Sequence, residues 1–551
     1  MSHRFSAILP LAALPVFLLA SALAAQVSTE RLQNAASDPK NWLTYSGSYM
    51  SQRHSALDQI TPDNAKELEL KWVFQAQSLQ TFETTPLVVD GVMYLTQAPN
   101  DVVALDAKAG RVFWVYHYVL PQTLSVCCGQ VNRGLAILGD VLFMGTLDAQ
   151  IVAIDRRTGK PIWKTRVADN TRGYAITVAP LVVKDKVIVG VSGGEYGIRG
   201  FIAAFDARTG KEAWRFHIIP EPGEPGHETW EGDSWMQGGG PAWVTGSYDP
   251  ALGLTYWGTG NPGPDYNPTQ REGDNLFTDC VVALDVDTGK LKWHFQFTPN
   301  DGYDYDAVQV PVLVDTDWKG TPRKLMYWAN RNGFFYVLDR SNGQFLLGKP
   351  FVKVNWASGL DPKGRPIPTP QPAGTETYPG VAGGTNWFSP SYSPRTGMFY
   401  VSAWENYRNI FEPEEQQYQE GRSFVAGRGA SPIPGIANIP TLHRGPINTW
   451  TEEFGTGAVL AIDPKTGDHK WRYEMTDVTD AGILTTDSDV LFTGGREGYF
   501  HALDARTGAL LWKASLGGPI SSGPVTYMVD GKQYVGVAAG NGYFAFGLKD
   551  P

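Results

Sequence analysis

Seven times along the chain a short apolar run ends at an acidic residue, turns, and resumes as a second run that delivers a large apolar side chain. The copies are VALDAKAGRVFW (103–114), VAIDRRTGKPIW (152–163), AAFDARTGKEAW (203–214), VALDVDTGKLKW (282–293), YVLDRSNGQFLL (336–347), LAIDPKTGDHKW (460–471) and HALDARTGALLW (501–512). Each predicts a β-hairpin: a strand closes at the Asp, a Gly four residues later supplies the positive φ of a tight turn, and a second strand follows. The residue eight after the Asp is Trp in every copy but one, where it is Leu347.

Successive repeat Asp residues are separated by 49, 51, 79, 54, 124 and 41 residues. A base unit of about 40–50 residues is that of a four-stranded propeller blade. The gap of 79 carries an insertion, and the gap of 124 leaves room for a degenerate extra blade near SYSPRTGMFYVSAW (391–404). LELKWVFQ (68–75) reads as a strand that closes the ring with the C-terminal blade. The expectation is an all-β, eight-bladed β-propeller with tryptophan-docking repeats, one domain over residues 26–551. The aperiodic stretch 411–450 reads as a surface excursion, lid or contact loop.

The N-terminus changes the compartment. A basic start (His3, Arg4), an apolar run from Ile8 to Ala20 and small residues at Ala22 and Ala24 make residues 1–25 a secretory signal, cut after Ala24 or Ala25. That run is shorter than the ~20 residues of a spanning helix, and no other stretch is apolar for long enough to cross a membrane. The exported chain then lies where disulfides persist. A net charge of −10 argues against a nucleic-acid partner. Two of the three cysteines, Cys127 and Cys128, are adjacent. On geometry alone they read either as two buried thiols or as a strained disulfide, because neighbouring Cα atoms sit ~3.8 Å apart and ordinary disulfides prefer ~4.4–6.8 Å.

The repeats and the segments between them resemble the quinoprotein alcohol dehydrogenases, which use pyrroloquinoline quinone (PQQ). The resemblance runs over essentially the whole mature chain. It implies that Cys127 and Cys128 in CCGQVNR are bonded to each other and stack on the quinone, leaving Cys280 as a free buried thiol. It implies that Arg133 pairs with a cofactor carboxylate, that Glu83 (TFETTPLV) lies near the quinone edge, and that the Thr177 hydroxyl (ITVAPLV) bonds the cofactor. In SGGE, Ser192, Gly193 and Gly194 approach the cofactor and Glu195 is a metal ligand. Trp243 (GGGPAWVTG) matches the stacking indole, Asn261 (GTGNPGP) a second metal ligand, Arg331 (NRNGFFYVLDR) the cation beside the reactive oxygens, and Asn386 (GGTNWFSP) a cofactor contact next to Trp387.

TPNDGYDYDAV (298–308) carries the chemistry that the resemblance implies. Asp304 matches the catalytic base and also a metal ligand; Asp301 serves structure in the loop. In an extended segment residues i and i+2 share a side, so Asp306 can face the same ion. Family members that resemble calcium enzymes carry a small neutral residue at that second position, and the lanthanide-dependent members carry Asp. The expected metal is therefore a lanthanide ion, with calcium as the alternative.

Departures narrow the expectation. Pro241 stands where relatives often have Thr, NPGPDY puts Asp265 where methanol enzymes have a Trp, and TDAGIL (479–484) lacks a Trp that many relatives carry. No C-x-x-C-H occurs, so electrons are expected to pass to a separate periplasmic cytochrome c. The expected activity is periplasmic oxidation of an alcohol, and the resemblance is compatible with a homodimer. The rival reading is a non-catalytic propeller scaffold of the same repeat family. Sugar oxidation by a PQQ enzyme is disfavoured by the adjacent cysteines.

Overall fold

The computed structural model describes residues 26–432 and 455–549. The residues 1–25 read from the sequence as a signal, and part of the stretch 411–450, lie outside them. Among the described residues there are seven four-stranded sheets and one five-stranded sheet, with two smaller sheets beside them. The only α-helix among the described residues is Thr29–Gln33. Each repeat forms two neighbouring strands of one sheet, as in Gln150–Asp155 with Pro161–Arg166.

The turn chemistry explains the repeat. Asp155 Oδ1 accepts the backbone N–H groups of Arg157 (3.0 Å) and Thr158 (2.9 Å), and Gly159 follows at φ 71°. The side chain stands in for a backbone acceptor and locks the corner. The glycine has a second reason. A Cβ on Gly159 would lie 2.6 Å from the Trp114 ring of the preceding repeat, whose Nε1 donates to Arg156 O at 3.2 Å. Trp72 on Gly110, Trp163 on Gly210, Trp214 on Gly289, Trp293 on Gly343 and Trp471 on Gly508 repeat the contact. At Gly467 Lys349 comes nearest, at 2.9 Å from a would-be Cβ, with Leu347 behind it at 3.4 Å. Six sheets thus rest an indole on the bare corner of the next.

Leu68–Gln75 pairs antiparallel with Gly542–Leu548, so a strand from the start of the chain completes the last sheet. One expectation is corrected. Residues 391–404 do not form an extra blade: Met398–Glu405 pairs with Thr456–Ile462, so this hairpin and the LAIDPKTG repeat are halves of one sheet split by an insertion. The insertion carries Asn409–Pro413 and Gly427–Ala430, which pair with each other.

Candidate active site

The sheets gather chemistry at one end by a simple rule. Glu83, Arg133, Thr177, Trp243, Asp304 and Asn386 each lie in the segment before the first strand of a sheet, whereas Glu195, Asn261 and Arg331 follow a second strand. Because those two strands run antiparallel, the entry to one and the exit of the other lie at the same end. The result is a cavity of about 400 Å³ lined by Glu83, Cys127, Cys128, Arg133, Thr177, Ser192, Gly193, Glu195, Trp243, Asp304, Asp306, Arg331, Asn386 and Trp387. Of the residues named from the sequence, Gly194 and Asn261 are not on its surface. A Cβ on Gly194 would lie 2.9 Å from the Pro241 ring, and the Asn261 side chain is buried.

Arg331 organises the carboxylates. Its Nη2 donates to Asp304 Oδ2 at 2.9 Å and its Nη1 to Asp306 Oδ2 at 2.7 Å, while Nε holds Val381 O at 2.9 Å. Asp306 also accepts the Asn261 backbone N–H (2.9 Å) and the Trp243 indole N–H (3.2 Å). Gly260 is bare for this reason, since a Cβ there would lie 2.1 Å from Asp306 Oδ1. Asp301 turns away: its two oxygens accept Tyr303 N–H (2.9 Å) and Tyr305 N–H (2.7 Å). It fixes the loop that presents Asp304.

Glu195 enters at a left-handed corner. Gly193 has φ 115°, and a Cβ there would lie 2.1 Å from Gly173 O. Cys127 and Cys128 are bonded to each other, and Cys128 Sγ lies 3.7 Å from Glu195 Oε1. Cys280 is free and buried. On the other wall Arg133 pairs with Glu83 at 2.8 Å. Its guanidinium carbon is 4.9 Å from the Trp243 ring centre and 4.8 Å from that of Trp387. The buried Arg133 Nε has no partner among the described residues.

Burial and mutual repulsion govern the acids. Burial pushes Glu195 up to about 7, with Asp306 adding to it. Asp304 is raised well above its usual range by burial, against the pull of Arg331, and Asp306 is raised by burial too. Burial holds Asp301 at about 6. This excess of acids around one guanidinium is a setting that a bound cation relieves.

Val131, Tyr266, Val381, Val425, Arg428 and Gly429 also line the cavity and were not named from the sequence. Asp265, noted there only as a departure, lines it as well. Val425, Arg428 and Gly429 come from the insertion, which is tied down by Phe424 N–H on Glu195 O (2.6 Å) and Tyr266 N–H on Val425 O (3.0 Å). Such contacts over long sequence separations leave no local signal.

Residues 42–355 match the family model for the β-propeller domain of glucose, ethanol and alcohol dehydrogenases, named for PQQ. Residues 455–550 match the model for the outer membrane protein assembly factor BamB. The chain is 38% identical to the quinoprotein alcohol dehydrogenase PedH of Pseudomonas putida, covering 96% of this chain and 91% of that one. It is also 38% identical to the lanthanide-dependent methanol dehydrogenase of Methylacidiphilum fumariolicum, covering 96% and 89%. Among solved structures, a europium-containing methanol dehydrogenase superposes with a TM-score of 0.86 at 34% identity, covering 94% of this chain and all of that one. The quinohemoprotein alcohol dehydrogenase of Comamonas testosteroni gives 0.88 at 34%, covering 97% and 84%. Matched at this identity along nearly its whole length, the chain has the all-β propeller fold of these proteins and belongs to the PQQ-dependent alcohol dehydrogenase family.

Proposed function

We propose that this protein is a periplasmic alcohol dehydrogenase that holds PQQ and one metal ion and hands electrons to a separate cytochrome c. The eight large sheets are its eight blades, and residues 1–25 direct its export. The observation that carries the reading is the imbalance in the cavity. Apart from the Glu83–Arg133 pair, Glu195, Asp265, Asp304 and Asp306 line it with Arg331 as their one enclosed cation among the described residues, since Arg428 is exposed and paired with Glu412. A non-catalytic scaffold gains nothing from such a cost.

The residues fit both groups. Glu195, Asn261, Asp304 and Asp306 are oxygen donors suited to a hard cation. Two indoles, a disulfide and the unpartnered Arg133 Nε suit a flat, carboxylate-bearing quinone. Bound together, the quinone would supply a two-electron acceptor and the cation the Lewis acidity that makes its carbonyl electrophilic.

The chain supplies the rest. Asp304 takes the hydroxyl proton as hydride leaves the carbinol carbon, the work of a positioned general base. Arg331 fixes Asp304 and Asp306 in register. The insertion residues Val425 and Gly429 and the Tyr266 ring cover the cavity and limit water.

Asp306 supports the lanthanide reading, because it is buried at 4% exposure on the cavity wall and not in solvent. A trivalent ion is matched by three carboxylates.

Reconstitution with PQQ and metal, followed by dye-linked assay on an alcohol panel and by quinone absorbance after gel filtration, tests the proposal. Retained quinone with alcohol-dependent dye reduction is expected. No quinone retention and no turnover would leave the scaffold reading, which the BamB-model match at residues 455–550 otherwise supports only weakly.

A further inference from the structure

Asp265 is a carboxylate of the cavity wall with a buried oxygen that nothing among the described residues answers. It is 2% exposed, it lines the cavity, and its Oδ1 has no hydrogen-bond partner among the described residues. A buried oxygen in that state is costly unless something else answers it.

The side chain is held in place by its backbone. Arg271, fully buried, donates Nε to Pro264 O at 3.1 Å, Nη2 to Asp265 O at 3.4 Å and Nη2 also to Asp301 O. One guanidinium therefore clamps the loop of Asp265 to the loop that presents Asp304. On the other side Tyr266 N–H holds Val425 O at 3.0 Å. The loop that sets Asp265 on the cavity wall is thus fixed from both sides, as a preorganised recognition group requires.

We propose that Asp265 is a specificity residue that accepts a hydrogen bond from a second hydroxyl of the substrate, so that vicinal diols are preferred to plain alkanols. This rests on the alcohol-oxidation reading of the site. Arg331, and the cation that Glu195, Asp304 and Asp306 would hold, already place positive charge on this side of the cavity. A neutral hydroxyl donor therefore fits better than an ammonium.

The test compares 1,2-propanediol with its isostere 2-methyl-1-propanol, in which a methyl replaces the second hydroxyl. Sites built to bond a substrate hydroxyl discriminate strongly, so the holoenzyme should favour the diol in kcat/KM by about tenfold or more. Asp265→Leu should collapse that ratio, and Asp265→Asn, which keeps an oxygen acceptor, should retain most of it. Ligand-observed NMR of the holoenzyme without an electron acceptor should show the same order in binding. Preference for the isostere, preference for 2-amino-1-propanol over the diol, or a ratio unchanged in a folded Asp265→Leu enzyme would overturn the proposal. If neither alcohol is oxidised, the oxidation reading falls, and the binding order in NMR decides the role of Asp265 by itself.

Discussion

Arg331 Nη1 lies 2.7 Å from Asp306 Oδ2, inside the protein, at the end of a cavity crowded with carboxylates. The same guanidinium reaches Asp304, so one arginine offsets two acids while Glu195 has no cation of its own among the described residues. The metal preference follows from that count. Activity should be higher with lanthanum or cerium than with calcium, and Asp306→Ala should reverse the order. Metal titration of the PQQ-reconstituted enzyme, read by turnover and by bound metal after desalting, checks it. Full activity with calcium and indifference to lanthanides would sink the idea.

Metal loading should release protons. Glu195 has its value moved from 4.5 to about 7, chiefly by burial, so near pH 6 the metal-free site holds protons that a cation must displace. Calorimetry in two buffers of different ionisation enthalpy measures the number released. The sign for stability follows from the same shift. Between about pH 4.5 and 7 Glu195 holds more of its proton in the folded metal-free protein than in the unfolded chain. The Glu195 contribution to stability should therefore fall as pH rises through that window, and Glu195→Gln should remove that part of the slope in chemical denaturation.

Asp304→Asn keeps shape and an oxygen but cannot accept a proton. Turnover should drop by about 10²–10⁴-fold, the usual worth of a general base, with PQQ still retained. Near-normal turnover would move the base elsewhere, with Glu195 next in line.

Thiol titration of the denatured, unreduced protein should find one reactive group, Cys280, because Cys127 and Cys128 are bonded to each other. Three would contradict the structure. Reduction should impair turnover more than stability, since a ring between neighbouring residues restricts the unfolded chain very little.

Two glycines separate turn geometry from packing. Gly159 (φ 71°) carries the Trp114 ring at 2.6 Å from a would-be Cβ, whereas Gly397 (φ 68°) has nothing within 4 Å. Gly397→Ala should cost about 1–2 kcal/mol for the left-handed backbone. Gly159→Ala should cost about 1–3 kcal/mol more for the displaced indole. Equal losses in urea denaturation would mean that the indole contact contributes little.

The sequence by itself determined the hairpins, because an Asp, a Gly four residues on and a large side chain after that encode a local turn whose hydrogen bonds lie within a few residues. Through its resemblance to a known family, carried by short motifs, it also pointed to residues such as Cys127, Arg133 and Asp304. Only the tertiary structure decided what each repeat does for the next. The glycine of one turn is the floor for the previous indole, a contact about 45 residues distant that no local pattern contains. It decided that residues 391–404 share a sheet with the repeat at 460–471, because a strand's partner is set by pairing and not by proximity along the chain. It also brought Val425 and Gly429 over the cavity and set Arg271 between the loops of Asp265 and Asp304. Those are long-range contacts of ordinary residue types, and their meaning comes from what the fold packs against them.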